Sequence, residues 1–174
     1  MTVIPECASF PQFEKYLSQV LPRLVLPNDA VVRTPPKPRN VDDFEWDFKW
    51  IVTFGDRKYM RVWESYVEHP DGGQAYRERF VYHYGAIVAE LPGGIPYGEF
   101  DDPVDLRIDN DGGRAHMHYQ APNPHHYAAS VGNLDMEKIR MHRFVEAVLR
   151  HRAKGRPFKE LLKFTLPEAD ESNG

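Results

Sequence analysis

The chain has 174 residues and a formal net charge of −4, with 41% hydrophobic and 13% aromatic residues. That length and apolar content support one domain with its own core. No apolar run approaches the roughly 20 residues a membrane span needs, the acidic balance argues against a general nucleic-acid coat protein, and Cys7, the single cysteine, excludes an internal disulfide or a cysteine-based zinc site.

Met1 to Phe10 has no basic stretch followed by an apolar core, so no secretory signal is expected and the protein reads as cytoplasmic. Ser9 to Val25 is predicted to be helical. Phe10, Phe13, Leu17, Val20, Leu21 and Leu24 recur at helical spacing, Ser9 can cap the first turn, Pro11 falls within it, and Pro22 weakens the last turn. Leu26 to Asn40 holds Pro27, Pro35, Pro36 and Pro38 and reads as an extended linker. Residues 1–42 are therefore assigned to a helix and a proline-rich linker, an accessory element or a homo-oligomer contact.

Phe44 to Phe54 alternates with period two: Phe44, Trp46, Phe48, Trp50, Val52 and Phe54 share one face, the signature of a half-buried strand. Gly55-Asp56-Arg57-Lys58 turns into a second strand, Tyr59 to Val67. A tight turn there sets Trp63 opposite Trp50 and makes all three tryptophans core residues rather than base-stacking ones. Pro70-Asp71-Gly72-Gly73 turns into a third strand, Gln74 to Tyr84. Its alternation groups Arg77, Arg79, Val81 and His83 against Tyr76, Glu78, Phe80, Tyr82 and Tyr84, and neither face is cleanly apolar. Ile87 to Leu91 is expected to continue the sheet, and Pro92 to Gly98 to form a loop.

Leu134 to Arg152 is the second long predicted helix, with Met141, Val145, Val148 and Leu149 on one stripe and His142 and His151 on its surface. Lys154-Gly155 ends it, and Pro157 opens a short helix with Phe158, Leu161 and Leu162 on one side. The expected organisation is one domain over residues 43–166 and a polar tail over 167–174. The fold class is α+β: an antiparallel β-meander sheet packed by a C-terminal helix, with an N-terminal helix.

The chemistry concentrates between Leu106 and Tyr119. Asp111-Gly112-Gly113 is a hairpin turn signal, because tight turns need positive φ. If Asp111-Gly112 is the loop, Arg107 faces His116, Asp109 faces Arg114 and Asp105 faces His118. If Gly112-Gly113 is the loop, Asp109 faces His116 and Arg107 faces His118. Side chains alternate with period two, so Asp105, Arg107, Asp109, Arg114, His116 and His118 share a face in either register. Val104, Leu106, Ile108, Ala115, Met117 and Tyr119 fall on the opposite, apolar face.

Three roles suit that polar face, two of them chemical. In metal-free phosphodiester cleavage, His116 and His118 act as an acid–base pair, Arg107 and Arg114 stabilise phosphoryl charge, and Asp109 orients an imidazole. Arg77, Arg79 and His83 would extend a basic, substrate-binding groove. Alternatively, His116 and His118 share a divalent metal such as zinc, with His125, His126 or Asp109 as third ligand. The adjacent arginines favour an anion over a cation, and no cofactor is expected in the first reading. The third possibility is a non-catalytic face that binds a partner protein, its cross-strand ion pairs contributing about 0.2–1 kcal/mol each.

The run Arg107 to His118 resembles TumE-like proteins, small prokaryotic proteins of toxin–antitoxin pairs. Their pattern is an Asp-Asn pair, a glycine-containing turn, His-x-His, a loop with an aromatic and a closing helix. Asp109-Asn110, Gly112-Gly113, His116, His118, Tyr127 and the Leu134–Arg152 helix match it in order, and Tyr82-His83-Tyr84-Gly85 is also similar. The likeness spans about Tyr59 to Arg152 and leaves out the N-terminal arm, the Pro92–Pro103 insertion and the C-terminal extension. It implies a small cytoplasmic toxin with an antitoxin protein as partner, acting on RNA.

Overall fold

Period-two alternation builds a sheet, and the computed structural model describes residues 3–69, 71, 73–97, 104–121, 130–131 and 134–162 of it and of the helices that cover it. Seven strands pair antiparallel in the order β1 (Val31–Asp42), β2 (Glu45–Thr53), β3 (Lys58–Val67), β4 (Tyr76–Ala86), β7 (Val104–Asp109), β8 (His116–Ala121) and β9 (Ser130–Val131). A separate two-stranded ribbon, β5 (Ala89–Leu91) and β6 (Ile95–Tyr97), connects β4 to β7. Helices α1 (Phe10–Val20), α2 (Met141–Lys154) and α3 (Phe158–Leu161) contribute to the core formed over one face of the seven-stranded sheet. This is the expected α+β architecture.

The core face is the one the alternation predicts. Trp46, Phe48, Trp50, Val52 and Phe54 of the β2 segment are buried, and Phe44 alone of the predicted set is exposed. From β7 and β8, Leu106, Ile108 and Met117 join the core. Helix α1 starts at Ser9, whose hydroxyl accepts the Gln12 amide, and inserts Phe13 among Trp46, Phe48 and Tyr66 with ring centroids 5.0–6.4 Å away. Helix α2 brings Phe144 to 5.3 Å from the Tyr82 ring and stops at Gly155, which adopts φ 64° as a left-handed cap.

Several local expectations change. Residues 31–42 are not a linker but a paired edge strand, whose prolines are tolerable because an edge does not require every backbone N–H. Pro35 and Pro36 fall in a register break between Thr34 and Lys37. The turn after β2 sets Trp50 opposite Val62 and Lys49 opposite Trp63, with Arg57 at φ 59°, so Trp63 leaves the core and faces the other side. Ile87–Leu91 does not extend the main sheet: among the described residues β5 pairs with β6 alone. The second long helix begins at Met141, because Asp135 turns the preceding chain by accepting the Glu137 amide on its side chain and the Lys138 amide on its carbonyl. His142 and His151 are half-buried rather than surface residues; His142 Nδ1 hydrogen-bonds the Tyr16 hydroxyl at 2.7 Å. The 167–174 tail, His125, His126 and Tyr127 lie outside the described residues.

Candidate functional site

The hairpin turn settles the register. Asn110 carbonyl accepts the Gly113 amide, Gly113 takes φ 83°, and the strands pair Asp109 with His116 and Arg107 with His118. Of the two registers open in the sequence, this is the pairing of the Gly112-Gly113 loop, although the chain between the strands is a short 3-10 turn rather than a two-residue loop. The two strands carry their side chains alternately to the core and to the second face of the sheet, as period two requires.

Asp109 is the hub on that second face. Its carboxylate accepts Arg107 Nε at 2.6 Å and the Asp111 amide at 3.1 Å, and it pairs with His116 Nε2 at 3.0 Å. Burial raises its pKa, but the hydrogen bonds from His116 and Arg107 and the charge of Arg107 prevail and hold it at about 2. Nδ1 of His116 lies 2.9 Å from the Arg114 carbonyl. Both ring nitrogens therefore face acceptors, an arrangement that only the doubly protonated imidazolium satisfies fully. The Asp109 hydrogen bond accordingly raises the His116 pKa, against the opposing effect of partial burial. The His118 ring stands edge-on to His116 with centroids 4.7 Å apart.

Asp111 extends the network outward, 3.6 Å from an Arg107 terminal nitrogen and 3.0 Å from Arg79. Along the sheet, the register aligns Arg61, His83, Arg107 and His118 in one row across β3, β4, β7 and β8. His83 is fully enclosed and stacks on Tyr59 at 4.9 Å. Burial, with Arg61 and Arg107 on either side, pushes its pKa down to about 3, so it is neutral and no substrate-facing cation.

The predicted site thus assembles in part. Arg107, Asp109, His116 and His118 come together, and Arg79 joins through Asp111. Arg114 does not: it sits exposed in the turn and offers only its carbonyl to the cluster. Arg77 is a correction as well. A register shift between Ser65 and Tyr66 pairs Arg79 with the first and Arg77 with the second, and this bulge turns Arg77 to the core face. There it lies 3.5 Å from the Glu64 carboxylate and donates to the Tyr82 hydroxyl and to the carbonyls of Met136 and Ile139. The face is also less open than a wet sheet surface: Arg107, Asp109 and His118 are buried, and His116 is the partly exposed member.

Asn110 and Asp111 escaped the sequence reasoning. Asn110 accepts the Phe80 amide and donates to the Glu78 carbonyl, repairing β4 at its bulge. The Asp-Asn spacing was visible, but nothing local reveals that the two side chains serve different strands. For a metal, one ligand atom each from Asp109, His116 and His118 falls within 4.8 Å of the others. A metal there would have to displace the His116 proton and share a carboxylate already held by Arg107. Cys7 is buried and its pKa is raised to about 12, chiefly by burial, so it is no nucleophile at neutral pH.

No family model matches the chain, and the comparisons with curated proteins and with solved structures found no match either.

Proposed function

We propose that the protein cleaves RNA phosphodiesters without a metal, at the His116–His118 pair. The observation that carries this reading is the collection of imidazoles and guanidiniums on one sheet face of a chain whose net charge is −4. His118 takes the proton of a ribose 2′-hydroxyl, whose oxygen attacks the adjacent phosphorus. The bond from phosphorus to the 5′-oxygen breaks, and that oxygen receives a proton from His116, leaving a 2′,3′-cyclic phosphate and a 5′-hydroxyl. Asp109 keeps hold of Nε2. Nδ1 bonds only a neutral carbonyl in an exposed turn, which a charged leaving oxygen outcompetes. Arg107 stabilises charge on the phosphoryl oxygens.

Purified protein incubated with single-stranded RNA in the presence of a chelator tests this. Cyclic-phosphate ends should form, a DNA strand of the same sequence should stay intact, and His116→Ala and His118→Ala should each lower the rate by about 10²-fold or more. No cleavage by the wild-type chain, or cleavage by both variants at the wild-type rate, removes the hairpin from any such reaction. A toxin role with an antitoxin partner, which the TumE-like resemblance implies, belongs to the same proposal: expression of the chain alone should arrest growth, and expression of His118→Ala should not.

The Asp109–His116–His118 geometry supports a second reading, a divalent-metal hydrolase. Activity abolished by the chelator and restored by zinc or manganese would select it.

A further inference from the structure

The β5–β6 ribbon lies against β2 on the second face of the sheet and leaves a cleft of about 480 Å³. That is an ordinary size for a small-ligand site. Its described lining includes two cations, Lys49 and Arg61, and two aromatics, Trp63 and Tyr97, over a floor of Ile51 and Val81; no aspartate or glutamate is among the described lining residues. Arg61 is only partly exposed, yet among the described residues it makes no hydrogen bond or ion pair. Its neighbour across β4 is the neutral His83, and the next residue in the row is another cation, Arg107. A guanidinium drawn out of water without a carboxylate is costly unless an anion is its partner. Trp63 is held in place by Arg79, whose guanidinium carbon lies 5.8 Å from the indole centre.

We propose that this cleft binds a nucleotide, with its phosphate on Arg61 and Lys49 and its base against Trp63 and Tyr97. The pairing of charge with ring surface distinguishes it from a bare anion site: guanidinium forks recognise phosphate oxygens, and aromatic faces stack bases of any identity. Val81 in the floor pairs directly with Asp109, and Arg61 stands two strands from Arg107, about 10 Å at the usual strand spacing. The cleft is therefore next to the hairpin cluster. Its role as the seat of the nucleotide neighbouring the cleaved bond rests on the RNA-cleaving reading, whereas nucleotide binding itself does not.

Calorimetric titration of the full chain with adenosine 5′-monophosphate, alongside tryptophan fluorescence, tests the proposal. The nucleotide should bind and quench Trp63, and Trp63→Phe should lose the quench. Arg61→Gln should weaken binding by about tenfold or more through loss of a charge-assisted bond, and Arg61→Lys should recover part of it. Adenosine alone and inorganic phosphate alone should each bind more weakly than the nucleotide. A thermal melt confirms that each variant is folded. Absence of nucleotide binding by the wild-type chain, binding indifferent to Arg61→Gln in a folded variant, or phosphate binding as tightly as the nucleotide would overturn the inference. RNA cleavage without nucleotide binding removes the cleft and leaves the hairpin reaction standing. Nucleotide binding without cleavage does the reverse.

Discussion

At the scale of single residues, the hairpin shows how one carboxylate organises its neighbours. Asp109 holds Arg107, the Asp111 amide and His116 at once, and Asp109 and His116 shift in opposite directions. Asp109 falls from 3.8 to about 2, so its contribution to stability is present above pH 3.8 and is lost as pH falls towards 2. His116 is raised above 6.5, so its contribution is complete below that pH and is lost as pH rises through the folded value. Asp109→Asn removes both. The gap in melting temperature between wild type and Asp109→Asn should therefore be widest between about pH 4 and 6.5 and narrow on either side. Melts across that range check it, and a gap independent of pH would contradict the ionic pairing. Period two was enough to place Arg107, Asp109, His116 and His118 on one face. It could not show that Arg114 stays in the turn, because strand alternation ends where the backbone leaves extended geometry.

At the scale of elements, strand β4 carries the largest departure from simple alternation. Its bulge sends Arg77 into the core, while Arg79, Val81 and His83 remain on the second face. The buried Arg77 faces Glu64, whose carboxylate also accepts hydrogen bonds from the Tyr66 and Tyr82 hydroxyls. Removing the cation alone leaves a buried carboxylate without the counter-charge that lies against it. Arg77→Met should thus cost about 3–5 kcal/mol, and adding Glu64→Leu should recover part of that loss. Urea denaturation of the two single variants and the double variant measures the coupling. If the effects are additive, the pair acts independently and the account is wrong. A bulge is invisible to pattern reading, because it is stabilised by partners on other strands: here the Asn110 side chain bonds the Phe80 amide and the Glu78 carbonyl beside it.

At the scale of the whole molecule, the N-terminal arm belongs to the fold. Phe13, Tyr16 and Leu17 of α1 are buried in the common core, and residues 31–42 pair with β2 along the edge. Burying a large apolar side chain contributes about 1.5–3 kcal/mol, a large share of the roughly 5–15 kcal/mol by which a domain is stable. A chain beginning at residue 43 should accordingly lose cooperative unfolding, as seen by circular dichroism and hydrogen exchange. A truncated chain with native-like melting would return the arm to the accessory role that its prolines suggest. No helix among the described residues is long and apolar enough to cross a membrane.

The amino-acid sequence by itself determined the helices and the strands outside residues 31–42 and 87–97, the core face of β2, β7 and β8, and the shared face of Arg107, Asp109, His116 and His118. Those follow from covalent geometry, since a side chain's side of the strand depends only on its neighbours along the backbone. The tertiary structure alone decided which hairpin register forms, which way Arg77 and Trp63 point, and that a two-stranded ribbon lies against β2 and leaves a cationic, aromatic cleft. Those depend on turns, a bulge and a covering ribbon, whose energies come from residues far apart in the chain.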